Sequence, residues 1–248
     1  MSNDKIVAVM QPYLFPYVGY WQLVSIADCF IVYDDVNFIK KGWVHRNRIL
    51  INGKPFLFTV PLRRPSQNVR ICDTWICSDI DWRGKLLKMI QTAYRKRPFY
   101  HEVFPVVEEI IMYGSNHLSD FLLHQLHVML DRLKIHTHIV NSSLQYHNSD
   151  LKGMARIIDI CKHENASVYV NLTGGMSLYD PESFKNHGID LRFVEDIQLS
   201  YDQIQQESFI SRLSIIDVLM HVGFGRIGTY LDAFRLINPS ASSMSEIT

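Results

Sequence analysis

The chain has 248 residues, of which 47% are hydrophobic, with 25 Lys plus Arg balanced by 25 Asp plus Glu. This length fits one large domain or two small ones, and the hydrophobic content is enough for a sizeable core. The balanced charge gives no support to a general nucleic-acid surface, and no apolar run approaches the roughly 20 residues that span a membrane. We therefore expect no DNA binding and no membrane insertion.

The N-terminus and the cysteines favour a cytoplasmic protein. The first residues, MSNDKIVAV, lack the long apolar segment of a secretory signal. The four cysteines are Cys29, Cys72, Cys77 and Cys161. They form no CxxC pair, and three lie in or beside apolar runs, which is typical of reduced, mostly buried thiols. We expect no zinc site.

Strands and helices are predicted to alternate along the chain. Short apolar runs predict strands over 5–10, 29–33, 56–61, 138–141, 168–171 and 191–194. Helical periodicity predicts helices over 20–27, 82–94, 103–113, 117–133, 152–163 and 207–222. This alternation indicates an α/β fold with a mainly parallel sheet flanked by helices. We expect one domain over 1–235 and a flexible tail over 236–248, where the residues are small and polar.

The segment QPYLFPYVGY follows the first predicted strand, where open parallel sheets bind their ligands. Gln11 can donate and accept hydrogen bonds there, and Gly19 would allow close approach of a partner. Tyr13 and Tyr20 offer flat faces for stacking on a base or a sugar. The alternative interpretation is a rigid aromatic plug that covers the end of the sheet.

This layout resembles a nucleotidylyltransferase of the HIGH type, in which a strand leads into a Gly-His pair at a helix start. Here Gly19 is followed by Tyr20, and no histidine lies nearby. The imidazole that would stabilise a transferring phosphate is therefore absent. The layout supports a distant fold analogy more than the chemistry.

Positive charge is concentrated downstream, at Lys40, Lys41, His45, Arg46, Arg48, Arg63 and Arg64. If 43–51 is extended, Arg46 and Arg48 share one face, where two guanidinium groups suit a pyrophosphate. His45 and Asn47 share the other face, where they could position and deprotonate a small nucleophile. A polar hairpin with an Asn-Gly turn at 52–53 is an alternative, compatible interpretation.

Polar residues follow two other predicted strands. Asp34 and Asp35 end the second strand and should lie at the carboxyl edge of the sheet. The segment VYVNLTGGMSLYD leads from a later strand into a glycine-rich turn, with candidate binding residues Asn171, Gly174, Gly175, Tyr179 and Asp180. Both glycines permit positive φ and close approach, but a GG pair alone is a weak signal. A plain strand-to-helix turn is the alternative.

Two histidine-containing patterns are interpreted as structural. Asp217 and His221 have i,i+4 spacing, and we interpret them as an exposed pair. The alternative is an acid/base pair in which the carboxylate orients the imidazole. Ser214 and Asp217 fit a capping box, or lie within a longer helix that starts near 207. Asp120, His124 and His127 have DxxxHxxH spacing and are predicted to point away from the apolar stripe of their helix. This placement indicates a solvated face and not a metal site.

These segments together resemble the WbqC-like protein family. The resemblance rests on QPYLFPYVGYWQLVSIADCFIVYDDVNFIKKGWVHRNRI, TVPL, YVNLTGGMSLYD, GIDLRF and LSIIDVL, which occur in this order between residues 7 and 223. Members resemble proteins encoded among bacterial O-antigen and other surface-polysaccharide genes. The resemblance implies a cytoplasmic N-acyltransferase that acts on the amine of a nucleotide-linked amino sugar, with glycyl transfer as the more specific expectation.

The resemblance also implies site residues and partners. The motif falls here on Gln11, Pro12, Tyr13, Pro16, Gly19, Tyr20, Asp34, Asp35, Lys40, Trp43, Arg46, Asn47, Arg48, Gly174, Gly175, Tyr179, Asp180, Ser214 and Asp217. His45 and His221 are not fixed in it, so Asp35, ahead of Asp34, is the better candidate for the catalytic base. No bound cofactor is implied, and the acyl donor is a thioester or an aminoacyl-tRNA, with a carrier protein or tRNA as partner.

Two alternatives stay open. A nucleotidylyltransferase-like enzyme would release pyrophosphate with Mg²⁺, and a non-catalytic scaffold of polysaccharide assembly would bind protein partners only. The sequence leaves open the sugar, its nucleotide base, the donor, the strand order and the oligomeric state.

Overall fold

A six-stranded sheet forms the centre of the fold in the computed structural model, which describes residues 4–203 and 208–239. The strands are β1 Ile6–Met10, β2 Cys29–Val32, β3 Arg46–Ile51, β4 Lys54–Thr59, β5 His138–Val140, β6 Val168–Leu172, β7 Asp190–Asp196 and β8 Phe234–Ile237. The sheet has the order β5-β2-β1-β6-β7-β8. The first five of these strands are parallel, and β8 is antiparallel to β7.

Helices cover both faces of this sheet. They are α1 Val18–Ile26, α2 Trp82–Tyr94, α3 Tyr100–Ile111, α4 Leu118–Leu133, α5 Gly153–His163, α6 Pro181–Lys185, α7 Ile215–Val222 and α8 Ile227–Leu231. The alternation of β1 sends Ala8 into one core and Val7 and Val9 into the other. Burial on both faces explains the continuous apolar runs and confirms the α/β fold with a mainly parallel sheet. Every helix within 4–203 and 208–239 is too short or too polar to cross a membrane.

The predicted strand over 56–61 is wrong as a member of the parallel sheet. It is β4, which pairs antiparallel with β3 in a separate two-stranded sheet. The turn between them has φ of 49° at Asn52 and 74° at Gly53, the left-handed conformation of a tight hairpin. The hairpin interpretation of the basic segment is therefore confirmed.

The C-terminal part differs from the prediction in two places. The helix predicted to start near 207 begins at Ile215, because the Ser214 side chain caps it by accepting from the Ile216 N–H at 3.3 Å. The predicted tail over 236–248 starts inside β8, where Leu236 and Ile237 pair with β7. Residues 240–248 of that tail lie outside the described residues.

The order of strands reverses beside β1. From β1 the chain adds β2 and then β5 on one side, and it returns to add β6, β7 and β8 on the other side. A crevice opens at such a reversal, between loops that leave the two strands in opposite directions. The carboxyl ends of β1 and β6 are thus where a ligand site is expected.

Candidate functional site

A cleft of about 570 Å³ lies at the carboxyl ends of β1 and β6, and we call it the switch-point cleft. Its lining consists of Val9, Met10, Gln11, Tyr13, Tyr17, Tyr33, Ile39, Trp43, Gly153, Met154, Ile157, Asn171, Leu172, Thr173, Gly174, Gly175, Leu178, Tyr179 and Arg212. The volume is within the range of about 300–1,000 Å³ that small-molecule sites occupy. Among the predicted residues, Gln11, Tyr13, Asn171, Gly174, Gly175 and Tyr179 lie in it.

The first turn is a rigid wall of this cleft because buried amides hold its backbone. Gln125 of α4 donates to the Tyr13 carbonyl at 2.9 Å and accepts from the Phe15 N–H at 2.8 Å. Asn47 of β3 donates to the Leu14 and Phe15 carbonyls at 2.8 and 2.7 Å. The turn is therefore both a plug, through its backbone, and a site wall, through side chains that face the cleft.

Gly19 and Tyr20 do not face the cleft, which corrects their predicted roles. Tyr20 is buried, and its hydroxyl donates to the Gln11 carbonyl at 3.1 Å, so its ring cannot stack on a ligand. A Cβ at Gly19 would lie 2.5 Å from the Tyr17 ring. The partner that approaches Gly19 is thus Tyr17, a cleft residue.

Asp34 and Asp35 are buried and bound by other side chains, which corrects the prediction of a base at this strand end. The Asp35 carboxylate accepts from Arg156 and from Ser143, both at 2.5 Å, and its side chain is 1% exposed. Asp34 accepts from Ser142 at 2.6 Å, and burial raises its pKa. Neither carboxylate lines the cleft. They tie the ends of β2 and β5 together.

The two predicted phosphate ligands share a face, but they differ in what their donors bind. The guanidinium carbons of Arg46 and Arg48 lie 5.7 and 5.5 Å from the centre of the Trp43 ring, which lines the cleft. Arg46 donates to the Lys41 and Gly42 carbonyls. The Arg48 Nε is buried without a partner among the described residues. Arg48 therefore lies beside the cleft wall with a buried Nε that is unpaired within the described parts of the chain, whereas Arg46 supports the loop.

Three further predicted residues lie outside the lining. Lys40 is exposed beside the cleft, and the Asn47 amide is engaged by the first turn. His45 packs 5.0 Å from Phe38, and burial, followed by the Arg46 charge, lowers its pKa to about 4. An imidazole with so little proton affinity is a poor general base at neutral pH.

The turn after β6 forms the opposite wall. Asn171 donates to the hydroxyls of Tyr169 and Tyr179, both at 3.0 Å. Gly174 and Gly175 lie in a 3₁₀ helix, Thr173–Leu178, and do not have positive φ, so flexibility is not their role. No described atom lies within 4 Å of where a Cβ of Gly174 would be, so the backbone borders open space.

Asp180 is a helix cap, which corrects its prediction as a ligand contact. Its carboxylate accepts from the Ser183 N–H at 2.9 Å and from the Ser183 hydroxyl at 2.6 Å. These hydrogen bonds lower its pKa. Asp180 begins α6 and does not line the cleft.

The pair of Asp217 and His221 is buried, so the prediction of an exposed pair is wrong. Asp217 accepts from the hydroxyls of Tyr94 and Tyr201, both at 2.6 Å, and its side chain is fully buried. The capping interpretation is correct for Ser214, since α7 starts directly after it. Within the described parts of the chain, no group of three His, Cys, Asp or Glu could hold a metal ion.

Hydrogen-bond donors dominate the electrostatics of the cleft. Its titratable side chains, within the described residues, are Tyr13, Tyr17, Tyr33, Tyr179 and Arg212. Burial raises the pKa of all four phenols, that of Tyr17 to about 12, so they are protonated at neutral pH. The described lining contains one permanent cation and no carboxylate, imidazole or thiol. Such a cleft favours a ligand rich in acceptors or negative charge.

Tyr33 and Arg212 are polar cleft residues that the sequence did not reveal. Tyr33 directly follows β2, and its position before the Asp34–Asp35 pair was the available signal. Arg212 comes from the segment before α7, which shows no motif around it. Only the fold brings these two residues to one cleft.

Comparisons with known proteins identify a family and a relative of this chain. The sequence model described as the WbqC-like protein family matches residues 11–228, which include the whole lining except Val9 and Met10. The chain is also 28% identical over 223 residues to "Uncharacterized protein Rv1507c" of Mycobacterium tuberculosis, covering 88% of this chain and 94% of that protein. No solved structure matches the chain.

Proposed function

The chain belongs to the WbqC-like protein family, and we propose that it is an N-acyltransferase acting on the amine of a nucleotide-linked amino sugar. Bacterial O-antigen or other surface-polysaccharide biosynthesis in the cytoplasm is the proposed setting, and glycyl transfer is its specific form. The observation that carries the proposal is the donor-rich, carboxylate-free lining of the switch-point cleft. Open α/β sheets bind nucleotides at this place.

The acceptor fits the chemistry of the walls. Arg212 supplies a cation for the diphosphate, and the Arg48 guanidinium adds positive charge beside the Trp43 ring. The N-terminus of α5 also lines the cleft, at Gly153, and a helix N-terminus favours anions. Tyr13 and Trp43 offer rings for the base or the sugar.

The proposed reaction relies on binding and orientation more than on an acid–base pair. The amine nitrogen forms a bond to the acyl carbon, the bond from that carbon to the donor's leaving sulfur or oxygen breaks, and the amine proton goes to the leaving group through solvent. Because the described lining holds no base, the amine has to enter unprotonated. Correct placement of two substrates can supply about 7–11 kcal/mol of the barrier.

The alternatives are less favoured. A nucleotidylyltransferase would hold Mg²⁺ with oxygen ligands, mostly carboxylates, and the described lining contains no carboxylate. A scaffold that binds only proteins has no need of a cleft of about 570 Å³ with convergent polar groups.

Calorimetry and mass spectrometry test the proposal together. UDP- and dTDP-linked amino sugars are titrated into the protein, with the same nucleotides linked to sugars without an amine as controls. Both sets should bind, but only the amino sugars should gain the acyl mass from an acyl-CoA, an acyl carrier protein or an aminoacyl-tRNA. Arg212→Gln should lower the affinity, whereas Arg63→Gln, at an exposed position outside the cleft, should not.

Two outcomes would overturn the proposal. If the protein binds none of the nucleotide sugars, a nucleotide-linked amino sugar is not the acceptor substrate. Release of pyrophosphate from a nucleoside triphosphate and Mg²⁺, without acyl transfer, identifies the nucleotidylyltransferase-like alternative instead.

A further inference from the structure

The buried guanidinium of Arg156 packs against the ring of Tyr33, a tyrosine of the cleft. The Arg156 guanidinium carbon lies 5.0 Å from the centre of the Tyr33 ring, and the arginine side chain is 3% exposed. Asp35 fixes this guanidinium at 2.5 Å, and Asn148 accepts from its Nε at 2.9 Å. Of these four residues, Tyr33 alone lines the switch-point cleft. The pair of Arg156 and Asp35 therefore acts on a ligand only through this phenol.

The position of the Arg156 cation affects how strongly the Tyr33 hydroxyl donates a hydrogen bond. Charges interact strongly in a buried environment because the effective dielectric constant is low. Burial raises the pKa of Tyr33 above its usual value, and the Arg156 guanidinium opposes this shift more strongly than the Asp35 carboxylate adds to it. The hydroxyl thus stays protonated and is polarised by the nearby cation. A polarised, protonated phenol is a strong hydrogen-bond donor to an oxyanion.

The other cleft phenols lack this arrangement. The Tyr179 hydroxyl already bonds with Tyr169 and accepts from Asn171. Burial raises the pKa of Tyr13, and no cation of the described residues contributes to that shift. Burial raises the pKa of Tyr17 most, and the Asp196 carboxylate raises it by more than the Arg212 cation lowers it.

We propose that Tyr33 is the oxyanion-stabilising catalytic residue, and that Arg156, held by Asp35, is the positioning residue that strengthens its hydrogen bond. This inference rests on the proposed acyl transfer. As the amine nitrogen bonds to the acyl carbon, the carbonyl π electrons move to the oxygen, and the Tyr33 hydroxyl donates to that oxygen. The electrons return as the bond to the leaving group breaks, and the phenol keeps its proton throughout. Donors aimed at developing charge are often the largest contribution to catalysis.

The first test separates binding from catalysis at Tyr33. Tyr33→Phe should lower kcat by about 10²–10³-fold, as the loss of one oxyanion donor does, with the Kd of the nucleotide sugar changed by less than about threefold. Tyr230→Phe removes a phenol outside the cleft and serves as the control, with kcat unchanged. Thermal unfolding of each variant checks that it is folded.

The second test addresses the buried pair. The double substitution Asp35→Leu with Arg156→Met removes both charges and leaves no unpaired charge in the core. It should lower kcat in the presence of Tyr33 and have little further effect in the Tyr33→Phe protein. A purely structural pair would lower kcat equally in both backgrounds.

The outcomes distinguish this inference from the proposed function. If the unaltered protein transfers the acyl group and the kcat of Tyr33→Phe stays within about threefold of it, Tyr33 does not stabilise the transition state. This outcome overturns the role of Tyr33 and leaves the proposed transferase activity intact. Absence of transfer by the unaltered protein with every donor and acceptor overturns both.

Discussion

The Asn47 side chain of β3 donates to the Phe15 carbonyl at 2.7 Å, across 32 residues of chain. Phe15 has φ of 40°, a left-handed conformation that costs a non-glycine residue about 1–3 kcal/mol. The basic hairpin thus holds the first turn in a strained shape. Asn47 was predicted to position a nucleophile, but its side chain supports the backbone of the aromatic wall of the cleft.

Asn47→Ala is expected to loosen this wall. It removes two hydrogen bonds to buried carbonyls, at Leu14 and Phe15, and should lower the free energy of unfolding by about 1–3 kcal/mol. The urea midpoint measures the change. Asn68→Ala, in an exposed loop, is the matched control and should leave the midpoint in place. Equal midpoints for the two variants would contradict this supporting role of Asn47.

Asp35→Asn is expected to lower the free energy of unfolding. It leaves the Arg156 charge buried without its partner, which costs about 3–5 kcal/mol. The control is Asp73→Asn, because Asp73 pairs with Arg70 at the surface, where such a pair contributes about 0–1 kcal/mol. Urea unfolding compares the two variants, and similar small losses would show that the buried pair is not structural.

His45 is expected to make the protein sensitive to acid. Burial lowers its pKa from 6.5 to about 4, so the unfolded chain takes up a proton at a higher pH than the folded protein does. The stability that neutral His45 contributes is complete above pH 6.5 and declines as the pH falls toward 4. His45→Gln should flatten the loss of stability over this window.

Urea midpoints at several pH values between 7 and 4 measure this effect. His136→Gln, at an exposed position, is the control and should keep the acid dependence of the unaltered protein. An identical acid dependence in His45→Gln would refute the assignment.

Gly19→Ala is expected to alter the cleft more than the stability. The new Cβ would meet the Tyr17 ring at 2.5 Å, so that ring has to move away from its place in the lining. Alanine favours a helix over glycine by about 1 kcal/mol, which offsets the local disturbance. Calorimetry should find weaker binding of the nucleotide sugar, and Gly228→Ala, whose Cβ meets no described atom within 4 Å, should bind as the unaltered protein does.

Trp43 should report ligand binding by its fluorescence. It lines the cleft and is 38% exposed, so a bound base or sugar changes the surroundings of its indole. The change should disappear in Trp43→Phe and persist in Trp75→Phe, which removes an exposed tryptophan outside the cleft. Persistence in Trp43→Phe would show that the ligand binds elsewhere.

The elements could be predicted from local patterns to different degrees. The bounds of α2 match the prediction because one apolar stripe and its capping Asp81 lie close together in sequence. The hairpin of β3 and β4 was misplaced in the sheet, since an apolar run does not reveal its pairing partner. The strand β8 was missed because it is short and contains no buried residue, without a long hydrophobic run.

The sequence by itself determined the α/β class, the hairpin turn at Asn52 and the family, because periodicity, turn chemistry and motifs are local properties. Tertiary structure decided which polar residue faces the ligand. Asp35 is paired because Arg156, 121 residues later, folds against it, and its neighbour Tyr33 is left to line the cleft. Burial and pairing depend on contacts between distant segments, which strand order creates and no local pattern specifies.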